Sequence, residues 1–200
     1  MQIRELAVPD AWEITPVPWK DDRGLFLESF RHDRLAEATG RSFELQQANV
    51  SVARRGVVRG IHFADTPPGQ AKYVSVARGA GIDFIVDIRV GSPTFGTWDS
   101  VLLDADSRRS VFISEGLGHA FAALTDDATL TYLVSSTYNP AAEHDLNILD
   151  PDIGLVFPSE LGEPVLSPKD LAAPSLAELL ASGGLPDYAE LRAYYAKATA

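Results

Sequence analysis

The sequence predicts an all-β protein built as a sandwich or a barrel. Short apolar runs and period-two patterns recur along most of its 200 residues, and clusters of Gly, Pro and Asp separate them. Many strands at this spacing favour a sandwich or barrel over alternating βαβ units. The length suits one domain with a substantial core, so we expect a single domain over residues 1–200.

The first predicted elements are a strand pair and one helix. Trp12–Thr15 and Leu25–Phe30 have strand-like patterns on either side of the turn Lys20–Gly24. Asp33–Thr39 predicts a short helix that Gly40 ends. The remaining strand candidates, in chain order, are Phe43–Val52, Val57–Phe63, Tyr73–Ala77, Ile82–Arg89, Trp98–Leu103, Ser110–Ile113, Ala120–Leu124 and Leu130–Ser135.

The C-terminal quarter differs in character from the rest. Pro140–Pro174 is rich in Pro and Asp and predicts loops that run over the barrel. Ser175 followed by Glu178 is a capping-box pattern, and Asp187 followed by Glu190 repeats it. We therefore expect two short peripheral helices near the C-terminus.

The composition excludes several classes of function. The chain has no cysteine, which excludes disulfides, thiolate catalysis and thiolate metal sites. Its formal net charge of −11 argues against nucleic acid or an anionic membrane as a partner. No apolar run approaches the about 20 residues of a membrane span. Residues 1–12 lack a secretion-signal pattern, so we expect a cytoplasmic location.

A histidine and a lysine on neighbouring apolar segments are the strongest chemical signal. His62 lies within Arg59–Phe63, and Lys72 follows ten residues after it. A base and a cation placed together suit removal of a proton from a carbon beside a carbonyl, with stabilisation of the resulting enolate. The alternative is that His62 is only a hydrogen-bonded core residue.

Strand alternation indicates where Lys72 points. Lys72 shares a strand face with Val74 and Val76, which is the apolar face. Lysine is rarely buried without a charge partner, and an inward Asp83 could supply one. The alternative is a Lys72 that faces solvent.

Three further residues could belong to a site. His119 follows two glycines, which suggests a tight turn that aims the imidazole, although an exposed loop histidine fits as well. Tyr132 could be a general acid or a buried tyrosine with a structural hydrogen bond. Tyr138 fits a turn or the margin of a site.

The residues predict neither a metal nor a dinucleotide. Residue 64 is Ala rather than a second histidine beside His62, and the other histidines are scattered. Gly79-Ala80-Gly81 has the wrong spacing for a dinucleotide fingerprint, and the chain has no Walker-type loop.

Taken together, these segments resemble the dTDP-4-dehydrorhamnose 3,5-epimerase family of the cupin superfamily. The resemblance runs from the N-terminus to about Asp170 and is carried by DDRGLFLESF, QQANVSVARRGVVRGIHF, PPGQAKYVSVARG, DFIVDIRVGSPTFGTW, ISEGLGHAFAAL, YLVSSTYNPAAEHD and LSPKD. It implies a double-stranded β-helix, or jelly roll, with short peripheral helices in residues 168–200. It also implies an intertwined homodimer, with strands of residues 1–30 taking part in dimer formation.

The resemblance also assigns roles to residues. It makes His62 the base that removes the proton alpha to the C4 ketone, with Asp170 orienting the imidazole. Lys72 would stabilise the enolate oxygen, and Tyr132 would return a proton from the opposite face. The remaining positions that match substrate contacts, some of them supplied by the partner subunit, are Arg23, Glu28, Gln47, Asn49, Arg59, His119, Glu143 and Lys169. Tyr138 and Asp83 are further candidates for substrate binding.

The implied activity is cofactor-independent epimerisation of a dTDP-4-keto-6-deoxyhexose, giving dTDP-4-dehydro-L-rhamnose. The nearest alternative is an epimerase of an antibiotic deoxysugar pathway that inverts C3 alone. More remote alternatives are a cupin that moves the keto group between C3 and C4, a non-catalytic nucleotide-sugar-binding cupin and a metal-dependent cupin oxygenase.

Overall fold

A computed structural model describes residues 1–198 of the chain, and it consists mainly of antiparallel β-strands. The strands are β1 Gln2–Glu5, β2 Ala11–Thr15, β3 Trp19–Asp21, β4 Gly24–Phe26, β5 Gln47–Ala53, β6 Val58–Ala64, β7 Lys72–Arg78, β8 Ala80–Val86, β9 Trp98–Asp104, β10 Ser110–Ile113, β11 Gly118–Ala123, β12 Ala128–Val134 and β13 Glu143–Asp145. The helices are α1 His32–Thr39, a 3₁₀ turn Ser159–Leu161, α2 Pro168–Leu171, α3 Leu176–Ser182 and α4 Tyr188–Ala198. Within residues 1–198, no helix has both the length and the apolarity to cross a membrane.

Two sheets and a separate hairpin make up the fold. One sheet has six strands in the order β1-β2-β10-β7-β12-β5, and the other has five in the order β13-β6-β11-β8-β9. The strands β3 and β4 form the hairpin. Neighbours that are distant in sequence, such as β7 and β12, pair antiparallel, as in a jelly roll. The predicted all-β sandwich or barrel, and the jelly roll that the resemblance implies, are therefore confirmed.

The main core lies between the two sheets. Val74 and Val76 of β7 pack in one cluster with Ile85 of β8 and Phe121 of β11. Lys72 lies on the same face of β7 as these two valines and lines the inner cavity, which confirms its predicted inward orientation. The interior is thus apolar along most of its length and polar where Lys72 enters it.

Later or earlier parts of the chain cover part of the outer face of each sheet. Leu146, Ile148 and Leu176 pack against the five-stranded sheet, so the predicted covering by the C-terminal quarter is confirmed. Leu35 of α1 and Phe43 pack against the outer face of the six-stranded sheet.

Ion pairs and hydrogen bonds attach helix α4 to the two-sheet core. Arg89 is fully buried and donates to Asp87 and to Asp10, the latter over 2.7 Å. Arg192 of α4 donates to the second Asp10 oxygen over 3.0 Å. Tyr195 of the same helix donates its hydroxyl hydrogen to the carbonyl of Glu115. Such a buried group of charges is stable because nearly every polar atom has a partner.

The structure corrects several predicted boundaries. The predicted strand Leu25–Phe30 is limited to β4, because it pairs only with the short β3 and its residues are exposed. The strand β1 is exposed along most of its length and so lacks the apolar alternation that reveals a strand. The strand β13 lies inside the segment predicted as loops. The capping box at α3 is confirmed, with Ser175 and Glu178 bonded as predicted.

Candidate active site

A cavity opens between the two sheets. Its outer part has a volume of about 410 Å³ and an adjoining inner part about 180 Å³, and His62, Lys72 and Tyr132 line both. The other residues of the outer part are Gln47, Asn49, Gln70, Tyr138, Glu143, Asp145 and Lys169. The inner part adds Ser51, Arg59, His119, Phe121 and Leu130.

The cavity takes its polar side chains from both sheets. His62 of β6 and His119 of β11 belong to the five-stranded sheet. Lys72 of β7 and Tyr132 of β12 belong to the six-stranded sheet. A molecule bound here would therefore lie between the imidazoles on one side and the ammonium and phenol on the other.

A bulge in β6 allows Arg59 and His62 to face the same cavity. Residues three apart in a regular strand point to opposite sheet faces, but the pairing of β6 with β11 shifts register at this point. Gly60 has a φ of +115°, and a Cβ there would lie 2.6 Å from the carbonyl oxygen of His119. Glycine is thus required for the bulge, which turns both polar side chains inward.

His62 lies against two carboxylates. Its Nε2 is 3.4 Å from Oδ1 of Asp170 and 3.5 Å from Oδ1 of Asp145. Burial and the charge of Lys72 lower the pKa of His62 to about 4, although both carboxylates oppose this change. The imidazole is therefore neutral near pH 7, as a proton acceptor must be.

Asp170 is fixed by the capping box at the start of α2. Its Oδ2 accepts hydrogen bonds from the hydroxyl and the backbone N–H of Ser167, over 2.6 and 3.2 Å. Burial alone would raise the pKa of Asp170, but the Ser167 hydrogen bonds and the nearby His62 outweigh it and lower that pKa. The sequence motif that carries Asp170 thus supplies a fixed, ionised partner for His62.

Lys72 has a different main charge partner from the predicted one. Burial lowers the pKa of Lys72, and the charges of Glu143 and then Asp83 oppose that shift. The hydrogen bond of Asp83 goes elsewhere, because its Oδ1 accepts from Nε2 of His119 over 2.7 Å. Asp83 therefore acts on Lys72 through its charge, as the sequence suggests, but Glu143 has the larger effect.

His119 is a buried strand residue and not an exposed loop histidine. It begins β11 together with Gly118, and only 8% of it is exposed. Asp83 beneath it is fully buried, so this carboxylate positions His119 and does not itself line the cavity. The adjacent glycine is required by space, since a Cβ on Gly118 would lie 2.6 Å from Cγ2 of Ile61.

Tyr132 is a protonated phenol within the cavity. Burial raises the pKa of Tyr132, the charge of Arg59 lowers it and the charge of Glu143 raises it, with a net increase. Tyr132 therefore keeps its proton near neutral pH and can donate it, from the sheet opposite to the one that carries His62.

The structure brings most of the predicted site residues together. Gln47 donates to Asn49 over 2.7 Å and accepts from the backbone N–H of Tyr138 over 2.9 Å, which ties one wall together. Arg23 and Glu28 are exceptions, since within the single chain of residues 1–198 they lie outside the cavity. The Arg23 side chain is 90% exposed and pairs with Asp21, while Glu28 pairs with Arg31.

Sequence reasoning missed three polar residues that line the cavity, namely Ser51, Gln70 and Asp145, and two apolar ones, Phe121 and Leu130. Asp145 shares a strand face with Glu143 by period two, which is the signal that could have revealed it. The segment is also rich in Pro and Asp, which predicts loops instead of a strand.

One group of side chains has the spacing of a metal site. Among residues 1–198, ligand atoms of His62, Asp145 and Asp170 lie within 4.8 Å of one another. Lys169 forms an ion pair with Asp145 over 2.9 Å, and the charge of Lys72 lowers the pKa of His62. Two ammonium groups at the same place disfavour a divalent cation.

Comparisons with known proteins agree on one family. The model of the family described as dTDP-4-dehydrorhamnose 3,5-epimerase matches residues 5–178. A dTDP-4-dehydrorhamnose 3,5-epimerase of Mycolicibacterium smegmatis is 55% identical, over 97% of this chain and 95% of that protein. A dTDP-4-dehydrorhamnose 3-epimerase of Streptomyces niveus is 54% identical, over 96% of this chain and 92% of that protein. The solved RmlC epimerase of Mycobacterium tuberculosis has a TM-score of 0.97 and 47% identity, covering 99% of this chain and all of that one.

Proposed function

Because the chain belongs to the dTDP-4-dehydrorhamnose 3,5-epimerase family, we propose that it is a cofactor-independent epimerase of a dTDP-4-keto-6-deoxyhexose. The product is dTDP-4-dehydro-L-rhamnose, formed by inversion at C3 and C5. Both carbons flank the C4 ketone, so one enolate-stabilising cation serves both steps.

The placement of His62 and Tyr132 on opposite sheets carries this proposal. Inversion requires a base on one face of the sugar ring and an acid on the other. His62 is neutral and Tyr132 is protonated near pH 7, which is the pair of states that this reaction needs. His62, Tyr132 and Lys72 all line the same cavity.

Each inversion moves one proton in and one proton out. His62 takes the proton from the carbon, and the bonding electrons move to the C4 oxygen as an enolate. The Lys72 ammonium stabilises that oxyanion, and Tyr132 donates its proton to the opposite face of the carbon as the ketone re-forms. The imidazolium then loses its proton to solvent, and the phenolate regains one, which restores both groups.

The remaining cavity residues supply binding. Arg59 and His119 lie in the inner part, where a cation and an imidazole N–H suit oxygen atoms of the sugar or diphosphate. Lys169 lies at the outer part and is 66% exposed, which suits a phosphate contact. Gln47 and Asn49 offer amide groups from the same wall as Tyr132.

A homodimer would complete this site. The β3–β4 hairpin exposes Trp19 and Phe26, which are 54% and 68% exposed, and the edge strand β5 exposes Val50 at 68%. Such a surface suits burial against a second copy. In that arrangement Arg23 and Glu28 would reach the cavity of the partner subunit. This would account for their position outside the cavity of their own chain. Sedimentation or light scattering measures whether the protein is a dimer in solution. The cytoplasmic location stays a prediction.

Proton NMR of dTDP-4-keto-6-deoxyglucose with the protein in deuterated water tests the activity. Deuterium at both C3 and C5 with an inverted configuration supports the 3,5-epimerase. Label and inversion at C3 alone would establish the second candidate, which the 54% identical 3-epimerase of Streptomyces niveus favours. Binding without exchange at either carbon would contradict both and leave a non-catalytic nucleotide-sugar protein.

A further inference from the structure

The Nε2 edge of His62 faces two carboxylates with different surroundings. Asp170 has its other oxygen occupied by two hydrogen bonds from Ser167. The Oδ1 atom of Asp145, by contrast, is buried and lacks a hydrogen-bond partner within residues 1–198. A buried acceptor without a partner is uncommon and calls for an explanation. The Nε2 atom of His62 lies 3.5 Å from it.

We propose that Asp145 is a second positioning residue for His62, which shares the Nε2 edge of the imidazole with Asp170 and stabilises the imidazolium formed on proton abstraction. The inference rests on the proposed function, because it assigns Asp145 a part in the same proton transfer. It adds a residue that the sequence resemblance does not name.

The charges around His62 act on its protonation in opposite directions. Lys72 faces His62 from β7 and opposes protonation of the imidazole, and His119 does so from β11 to a smaller degree. Asp170 from α2 and Asp145 from β13 favour it. The ammonium that stabilises the enolate therefore works against the base, and the second carboxylate offsets that conflict.

Lys169 regulates how strongly Asp145 acts. Its Nζ lies 2.9 Å from Oδ2 of Asp145, and its side chain is 66% exposed at the outer cavity. While this ion pair is intact, the ammonium partly cancels the charge that Asp145 presents to His62. A diphosphate in the cavity offers Lys169 a second partner and leaves more of the Asp145 charge to the imidazole. Binding of an anionic substrate thereby increases the basicity of His62.

NMR titration of the His62 imidazole in the full chain tests this, with the resonances assigned by their loss in H62N. We expect K169M to raise the pKa of His62 by about one unit, because it uncovers the Asp145 charge. In D145N we expect a lower pKa, a changed ¹⁵N shift of Nε2 at pH 7, and deuterium uptake at C3 about 10-fold slower with little change in KM. The double variant D145N/K169M should lack the rise seen in K169M.

Asp65→Asn is the matched control. Asp65 is a carboxylate that contacts a different histidine, His144, over 2.6 Å, and it lies outside the cavity. We expect D65N to leave the His62 titration and deuterium uptake as in the unmodified protein. A thermal melt of each variant reports whether the fold is retained.

Unchanged His62 resonances in both D145N and K169M would overturn the proposal, and so would a D145N variant that loses only KM. Should D145N fail to fold, K169M decides the question alone, because Lys169 is exposed and its removal leaves the fold intact. If the unmodified protein exchanges no deuterium, the proposed function fails, whereas the His62 titration still reports on Asp145.

Discussion

His119 stands directly opposite His62 in the antiparallel pairing of β11 with β6. Directly opposed residues project from the same sheet face, so both imidazoles enter the cavity side by side. Each imidazole lies against a carboxylate from another element. Asp83 of β8 contacts His119, and Asp170 of α2 contacts His62. Their environments nevertheless differ, because the His119 carboxylate is fully buried and in direct hydrogen-bond contact.

Replacement of His62 by Asn should abolish turnover while the fold is retained. A positioned base contributes about 10²–10⁴-fold to a proton transfer, and Asn can neither accept nor carry the proton. The measurement is deuterium uptake at C3 and C5, with a thermal melt as the control for folding. Uptake near the unmodified rate would rule out His62 as the base.

Replacement of Lys72 by Ala should lower kcat by about 10²–10³-fold with a smaller effect on KM. The ammonium is needed most when negative charge develops on the C4 oxygen, so its loss acts mainly on the transition state. Steady-state kinetics separate the two constants. A change confined to KM would mean that Lys72 only anchors the substrate.

Replacement of Tyr132 by Phe should separate exchange from inversion. His62 can still remove a proton and return a deuteron to the same ring face, so label should enter the sugar with its configuration retained. Net inversion should fall by about 10²-fold or more, since the opposite-face acid is missing. NMR coupling constants distinguish the two products, and an equal loss of exchange and inversion would contradict this role.

The pH profile of kcat/KM should stay nearly flat from pH 8 down to about pH 5.5. The pKa of His62 is lowered from 6.5 to about 4, so the free enzyme keeps a neutral base well below the usual histidine range. Because the folded-state pKa is the lower one, the contribution of His62 to stability is complete above pH 6.5 and declines as the pH falls toward 4. An acid limb centred near 6.5 would contradict the buried environment described for this imidazole.

Replacement of Gly60 by Ala should damage both stability and activity. The residue has a φ of +115°, and the added Cβ would lie 2.6 Å from the His119 carbonyl oxygen and 2.8 Å from the Ala120 Cβ. We expect a loss of about 1–3 kcal/mol in the free energy of unfolding, together with misplacement of Arg59 and His62.

Gly91→Ala is the control for this prediction. Gly91 has a φ of +84°, yet an added Cβ would have nothing within 4 Å. This variant therefore carries only the cost of the backbone conformation, and the difference between the two melting temperatures isolates the contact with β11. Equal losses in the two variants would mean that the close contact at Gly60 is unimportant.

Alternation along single strands predicted part of the site correctly. It placed Lys72 on the inward face with Val74, because β7 is regular over this stretch. It could not show that Arg59 and His62 share a face, since a bulge breaks the two-residue period and depends on pairing with β11. The contact between Asp83 and His119 likewise depends on register between strands that are distant in the sequence.

The segment around Asp145 shows a second limit of sequence patterns. The strand β13 has three residues and gains its extended form by pairing with β6, so the two-residue spacing of Glu143 and Asp145 is its one local strand signal. The segments around it that resemble the family predicted the family itself, the jelly roll and most of the cavity residues. A short strand formed by tertiary pairing is where local patterns fail.

Because His62 and Tyr132 lie on different sheets, the packing between the sheets sets the distance between them, and so the space for the sugar ring. Facing sheets lie about 10 Å apart, and the side chains that fill the gap set that separation. Val74, Ile85 and Phe121 are among these spacers, although they perform no chemistry. Enlarging or trimming one of them would change the clearance across the ring, and so could alter which carbon is presented to the base without any change to the reacting groups.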